Sequence, residues 1–230
     1  MKQKIYSGFK EPKLLQTEYS VELAELIGII LGDGNLWEKV GHYYLRICGH
    51  SEDDKEYLFN FVKPLIKKLF GIDMDFYYHK TGKEVFLTKG SKDLIFTLKY
   101  FGLKTGDKIK NKFSIPDWIF ESEEYLKACI RGLIDTDGTV LPITGRNYSY
   151  IWFTSGNPVL RKDFEKAMEI LGYKISKWNF SRTAETYIGA KGLIRKYYKE
   201  IGFSNTKHQR RFKCPVGVDV INTAQPGQIS

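Results

Sequence analysis

Two carboxylates stand in closely matched local sequences. Residues 26–34 read Leu-Ile-Gly-Ile-Ile-Leu-Gly-Asp-Gly and residues 130–138 read Ile-Arg-Gly-Leu-Ile-Asp-Thr-Asp-Gly, which puts Asp33 and Asp137 104 residues apart. Within each segment small residues fall four apart, Gly28 with Gly32 and Gly132 with Thr136, so a helix through either carries a face without bulk. Two such faces pack backbone to backbone, and roughly parallel packing sets Asp33 beside Asp137 at two helix C-termini. There the helix dipole disfavours each anion by about 0.3–1 kcal/mol. Their mutual repulsion adds roughly 4 kcal/mol at a separation of about 4 Å and an effective dielectric near 20. A bound cation removes both penalties. Few donors, all oxygen, suit Mg²⁺, which keeps several waters and completes its shell with substrate phosphates; the backbone carbonyls of Gly32 and Thr136 are further donors. One such helix alone is an ordinary buried helix ending in a turn dipeptide, but two inside a longer repeat point to chemistry.

The surrounding elements repeat as well. Leu-Phe-Gly at 69–71 returns as Leu-Gly at 171–172, Thr-Lys-Gly at 88–90 as Ala-Lys-Gly at 190–192, and Lys-Phe-Ser-Ile-Pro at 112–116 as Arg-Phe-Lys-Cys-Pro at 211–215. The offset drifts only from 104 to 99 residues, the mark of a duplicated unit with short loop deletions. Ser20 and Ser122 suit N-caps, with Glu22, Glu123 and Glu124 in first turns. Gly34 and Gly138 suit the left-handed residue that closes a helix. Segments 43–48 and 148–154 read as strands. An amphipathic helix follows each, the first with Leu58, Phe61, Val62, Leu65, Ile66, Leu69 and Phe70 on one stripe and a kink at Pro64, the second opened by Asn157 and Pro158. Hairpin-like stretches at 74–88 and 174–188 and short helices near 92–101 and 193–201 complete the halves. The expected architecture is α/β of the α+β kind, with halves at 1–120 and 121–216 packed intimately and a flexible tail at 217–230.

Composition restricts the partner. Among 230 residues, 36 Lys and Arg against 27 Asp and Glu give a net charge of +9, which favours a polyanion. A 42% hydrophobic and 15% aromatic content supports a sizeable core and excludes wholesale disorder. No apolar run approaches the roughly 18 residues of a membrane span, and the first residues lack the apolar stretch of a secretory signal. Cys48, Cys129 and Cys214 are too few and too scattered for a disulfide framework or zinc finger and read as small core residues, consistent with a reducing compartment, cytoplasmic or organellar.

Segments 26–34 and 130–138 resemble the motif of the LAGLIDADG homing endonucleases of the single-chain, two-motif type. The second fits at most positions; the first has Leu31 where the motif has its first Asp, which is not the metal ligand in that family. The resemblance covers most of the chain. It implies a pseudo-twofold fold with the motif helices at the interface and a saddle-shaped antiparallel sheet in each half for the DNA major groove. It implies a monomer, Asp33 and Asp137 as ligands of Mg²⁺ (Mn²⁺ able to substitute), in-line phosphodiester hydrolysis without a covalent protein nucleophile, and short 3′ overhangs. By the same resemblance Lys89 and Lys191, each before a Gly and a helix, are the basic residues that offset charge on the leaving 3′ oxygen. Relatives carry water-positioning polar groups at the end of the first strand, where this chain has His50, Ser51, Ser155 and Asn157. Arg46, His79, Lys80, Lys83, Arg146, Lys177, Asn179 and Arg182 are the expected base-contacting set, and the basic run at 207–211 is expected on phosphates.

Three other readings compete. Residues 133–140 resemble the nucleophile motif of haloacid-dehalogenase-type phosphatases, with Asp135 as the attacking residue, but the first repeat has Leu31 there and no paired acidic motif follows. An EF-hand fails because Gly138 falls two positions too early. A maturase acting on its host intron RNA, or a non-cleaving DNA-binding regulator on the same fold, stays open beside the nuclease. The start at Met1 and lack of a His-Asn end favour an intron-encoded enzyme over an intein. A basic, phosphate-contacting footprint predicts that duplex affinity falls by a factor of roughly 10³ or more between about 50 and 200 mM salt; fluorescence anisotropy across that range measures the slope.

Overall fold

The computed structural model describes residues 11–39, 41–80 and 82–215, so the expected tail at 217–230 lies outside the described residues. Helix α1 (Val21–Asp33) starts at Ser20, whose hydroxyl accepts the Leu23 N–H at 3.1 Å, and runs buried from Leu23 to Leu31. Helix α5 (Glu123–Asp137) starts at Ser122 without a side-chain cap bond. Their faces meet where the sequence has no side chains. A Cβ at Gly28 would lie 2.1 Å from the Cys129 carbonyl oxygen, and one at Gly132 would lie 2.3 Å from that of Glu25. Only glycine permits this approach.

Each motif helix runs directly into a strand. Strands β1 (Gly34–Lys39), β2 (His42–His50), β3 (Asp75–Tyr78) and β4 (Glu84–Gly90) form an antiparallel sheet in the order β1-β2-β4-β3. Strands β5 (Gly138–Pro142), β6 (Ser149–Thr154) and β7 (Glu185–Ile188) form the second, in that order. Gly34 and Gly138 are therefore extended, at φ −80° and −95°, and not left-handed as expected. Glycine is needed there for space: a Cβ would meet the Ile30 oxygen at 2.6 Å or the Ile134 oxygen at 2.3 Å. Alternation turns Leu36, Leu45, Ile47, Val85 and Leu87 into the core and leaves Asn35, Trp37, Tyr44, Arg46 and Thr88 on the opposite face.

The remaining helices cover the core side. In the first half α2 (Lys55–Tyr57) widens into a π-helical turn, Leu58–Val62, before α3 (Lys63–Phe70), so the ladder lengthens just ahead of Pro64 and accommodates its missing N–H. Helix α4 (Lys92–Tyr100) closes that half. In the second half α6 (Pro158–Ile170) opens with the Asn157 side chain capping Val159 N–H, followed by α7 (Lys191–Glu200) and α8 (Thr206–Arg211). The hairpin expected at 174–188 is reduced to β7 and a single bridge between Asn179 and Glu185, so the second sheet is one strand smaller. One hydrophobic core, from Leu23 to Phe203, runs through both halves. No helix among the described residues is long and apolar enough to cross a membrane. Because their missing side chains face backbone, Gly28→Ala and Gly132→Ala are each expected to destabilise by about 3 kcal/mol or more. Gly192→Ala, with open space around it inside α7, should instead gain about 0.5–1 kcal/mol; urea unfolding midpoints compare the three.

Candidate active site

The two helices end side by side. Thr136 packs into the gap left by Gly32, where a Cβ would sit 2.0 Å from its hydroxyl oxygen and 3.5 Å from the Asp137 carboxyl carbon. Asp33 and Asp137 are each half-buried at these ends, so both remain reachable. Burial, and next the facing Asp137, pushes the Asp33 carboxyl up to about 7, with Lys108 opposing. Burial raises Asp137 to about 6, again against Lys108. Both shifts mark sites that hold negative charge reluctantly in the absence of a cation.

The cation that the chain itself supplies is Lys108. Its ammonium donates to the Leu31 carbonyl at 3.0 Å and to the Gly32 carbonyl, two of the acceptors left open at the end of α1. Burial lowers its pKa while Asp137 and Asp33 act to raise it. The loop holding it is braced: Asp107 accepts the N–H groups of Ile109 and Lys110 at 2.9 Å, Lys104 donates to the carbonyls of Asn111 and Lys112, and Gly106 N–H donates to Leu36 O. From the other half Asn157 donates to Phe113 O at 2.7 Å and to Lys108 O at 3.4 Å. The Gly32 carbonyl expected as a metal donor is thus occupied by Lys108. The repeat contained the signal for this residue: Lys108 and Lys207 are 99 residues apart, the same spacing as Phe113 and Phe212.

Lys89 and Lys191 go elsewhere. Lys89 pairs with Asp75 at 3.5 Å at an exposed sheet margin, and Lys191 lies over the Tyr148 ring, 5.2 Å from its centroid, in a 360 Å³ hollow shared with Arg146 and Asn147. Lys89 sits near the end of the inner strand β4 and Lys191 is the first residue of α7, whereas the segment after α4 brings Lys108 back to the end of α1. Asn157 and Ser155 are buried and structural, the Ser155 hydroxyl accepting the Asn157 N–H. His50 accepts N–H groups of Glu52 and Asp53 within its own turn, beside Ser51.

In the protein alone, the basic run at 207–211 clamps the two halves together, its charges set against carboxylates of the first half. Lys207 pairs with Asp54 at 2.7 Å, Arg210 with Glu56 at 3.3 Å and Arg211 with Asp53 at 3.0 Å, while His208 is fully buried and held neutral by burial, its pKa lowered to about 4. Among the expected base-contacting residues, Arg46 lies on the open face of the first sheet, its guanidinium over Tyr44 and Phe86. His79, Lys80 and Lys83 are exposed in the β3–β4 turn, Arg146 in the β5–β6 loop, and Lys177 and Arg182 near the start of β7. Asn179 instead bonds Glu185 at 3.0 Å and accepts the Ser181 N–H, so its amide serves the turn. Cys129 is buried as expected, but Cys48 sits half-buried on the open face in the row that continues Asp33.

Asp135 is walled in. Its side chain is 1% exposed and accepts the Ser204 N–H at 2.7 Å, next to the Glu25–Arg131 ion pair of 2.6 Å that crosses the interface. No substrate reaches a carboxylate there, which removes the phosphatase reading.

No group of three or more His, Cys, Asp or Glu suited to a metal occurs among the described residues. The donors on offer are therefore the two carboxylates, water and a substrate phosphate, the oxygen-only set that a hydrated Mg²⁺ or Mn²⁺ accepts.

Comparison with known proteins agrees with this geometry. Residues 124–209 match the LAGLIDADG-like domain. The chain is 32% identical over 204 residues to a DNA polymerase of Thermococcus sp. (strain GE8), covering 86% of this chain but 11% of the polymerase. It is 27% identical over 183 residues to a tRNA-splicing ligase RtcB of Pyrococcus furiosus, covering 72% and 19%. The chain thus spans between a tenth and a fifth of these relatives. Among solved structures, I-DmoI in complex with DNA and Mn superposes with a TM-score of 0.56 at 18% identity, covering 79% of this chain and 96% of that one. I-DmoI G20S, solved with its target DNA in the presence of Mg, gives a TM-score of 0.54 at 19% identity over 79% and 95%. Full-length WhiA from Thermatoga maritima gives 0.56 at 14% identity over 86% and 61%. Residues 124–209 thus carry a LAGLIDADG-like domain, and the glycine-packed pair of motif helices with its two antiparallel sheets gives the chain the LAGLIDADG fold.

Proposed function

We propose that the chain is a site-specific DNA endonuclease that hydrolyses one phosphodiester on each strand of a long duplex, with a divalent metal as cofactor. The observation that carries this reading is the meeting of Asp33, Asp137 and Lys108 at the ends of α1 and α5: two carboxylates against one lysine leave a net negative, half-buried pair. Mg²⁺, or Mn²⁺ in its place, would be held by Asp33 and Asp137 and would supply Lewis-acid stabilisation of the phosphoryl oxygens and a more acidic water. The glycine contact fixes the two carboxylates relative to each other, so no reorganisation is needed as charge develops. Lys108, braced by its loop, offers an ammonium to the leaving oxygen or a non-bridging oxygen. The open sheet faces take the duplex on the same side as β1 and β5 leave the two Asp-Gly ends, with Arg46 suited to guanine.

Both carboxylates come from one polypeptide, which supports action as a monomer. Similarity to segments within a polymerase and a ligase, proteins named for unlike chemistry, supports a mobile module, and we assign it the homing of its own coding element. A maturase role is favoured by a different feature: Tyr150 and Tyr187 stack at 4.9 Å with Trp152 beside them on the open face of the second sheet, a surface suited to unpaired bases of host intron RNA.

Selection from a randomised duplex library with Mg²⁺, followed by sequencing of the ends, tests the main reading. Discrete paired cuts at one long site are expected, abolished in Asp33→Asn and Asp137→Asn and slowed at least about 100-fold in Lys108→Met. Retention of nucleic acid without cleavage, unchanged by the carboxylate variants, would shift the assignment to the maturase or regulator. Protons compete with the metal at the same oxygens. Because the folded carboxylates titrate near 7 and 6, above their unfolded value near 4, the metal-free fold binds more protons than the unfolded chain in that window. Their contribution to stability is present below pH 4 and is lost as pH rises to 7. The Asp33→Asn, Asp137→Asn double variant should therefore melt higher than wild type at pH 7.5 without metal, and Mg²⁺ should raise the wild-type melting temperature only.

A further inference from the structure

The two halves treat their matching lysines differently. By the repeat, Lys108 corresponds to Lys207 and Asp54, the N-cap position of α2, corresponds to Asn157, the N-cap of α6. Each N-cap residue reaches across to the lysine loop of the opposite half. Asn157, neutral, grips that loop by its carbonyls, Phe113 O and Lys108 O, and leaves the Lys108 ammonium free to lie at the end of α1 beside both carboxylates. Asp54, charged, takes the ammonium itself: Lys207 Nζ lies 2.7 Å from its Oδ1, with both side chains about 13–14% exposed. The other contacts of Asp54 reinforce the hold. Its Oδ2 accepts the His50 N–H at 3.0 Å, and Oδ1 accepts the Asn205 amide at 3.1 Å. Asn205 also donates to Asp135 O at 2.9 Å. That carbonyl is the repeat counterpart of Leu31 O, so a neutral amide occupies the end of α5 where a lysine occupies the end of α1. One half is armed with a cation at its helix end and the other is not.

We infer that Asp54 is a positioning residue that holds Lys207 in reserve, so that the two strand cuts are unequal: one served by Lys108 as it stands, the other only after Lys207 leaves Asp54. The inference rests on the endonuclease reading for its catalytic consequence, but the latch itself is a property of the protein alone. A half-buried ion pair releases its lysine only when another anion replaces the carboxylate, and a DNA phosphate entering beside Asp33 is such an anion. The second cut thereby depends on the duplex being seated, which keeps a half-engaged site from being broken on both strands.

Two measurements separate the latch from the catalysis. In the metal-free protein, acylation by acetic anhydride read by mass spectrometry should label Lys207 slowly in wild type and several-fold faster in Asp54→Asn, with exposed Lys177 labelled equally in both. On the target selected from the library, with the two strands carrying different end labels, wild type should nick one strand at least about five-fold ahead of the other. Asp54→Asn, which copies the residue at 157, should narrow that gap by speeding the slower strand, and Lys207→Met should widen it by slowing the same strand while the faster one holds. Should Asp54→Asn fail to fold, the Lys207→Met strand ratio decides. Equal wild-type rates on both strands, or variants that slow both strands alike, would overturn the inference, as would Lys207 labelling that ignores residue 54. A wild type that cuts neither strand would sink the endonuclease reading and the strand order, and the labelling would still report on the latch.

Discussion

The structure depends on how closely α1 and α5 approach. Gly28 and Gly132 each lack a side chain where the partner's carbonyl lies, and a Cβ at either would come within 2.3 Å of it. Helices held apart by ordinary side chains sit about 8–10 Å from axis to axis. Removing the side chains at the crossing lets the backbones touch, and the last turns then bring Thr136 against Gly32 and Asp137 near the end of α1. Strands β1 and β5 begin at the next residue, without a loop, so the same contact sets the origin of both sheets. Carboxylate spacing and the placement of the open sheet faces are thus two results of one packing event.

Above that contact the interface carries charge. Glu25 and Arg131 pair at 2.6 Å across the helices, Ser204 donates its hydroxyl to Glu25 and its N–H to Asp135, and Arg131 donates to Ile201 O. Desolvating such groups offsets much of their mutual attraction, so their value for stability is small. Their value for register is larger: sliding one helix by a turn would strand a buried charge without a partner. The polar network and the glycine contact therefore fix the same alignment by different means, one through electrostatics and one through excluded volume.

Duplication left the halves alike in plan and unlike in detail. The second sheet is one strand smaller, Leu31 stands where the second helix has Asp135, and Asp54 stands where the second half has Asn157. These differences concentrate around the helix ends. The core positions, by contrast, are apolar in both halves and differ mainly in size. Divergence has been tolerated where charge and hydrogen bonding act, which is where two unequal DNA half-sites would call for unequal treatment.

Residues 26–34 and 130–138 made the paired helices, their glycine faces and the meeting of Asp33 with Asp137 legible before any coordinates, because a helical period and a missing side chain are local properties and the repeat supplies each twice. The strands at 43–48 and 148–154 and most helix starts were legible for the same reason, but β1 and β5, which begin directly at Gly34 and Gly138, were not. The conformation of Gly34 and Gly138 was not, since a glycine after a helix serves a left-handed turn or a crowded extended start equally well, and only the directly attached strand chooses. Nor was the fate of the lysines. Lys89 and Lys191 sit at matching points of the repeat, and so do Lys108 and Lys207; sequence spacing treats the two pairs alike. The fold separates them, because the segments after α4 and α7 return toward the helix ends, where Lys108 meets the open carbonyls of α1 and Lys207 meets Asp54, while Lys89 and Lys191 find Asp75 and the Tyr148 ring instead. Nor did the basic run at 207–211 show in sequence that Asp53, Asp54 and Glu56 of the other half would be set against it. Which elements form follows from neighbours in the chain; which charge meets which follows from long-range packing, and that only the folded molecule decides.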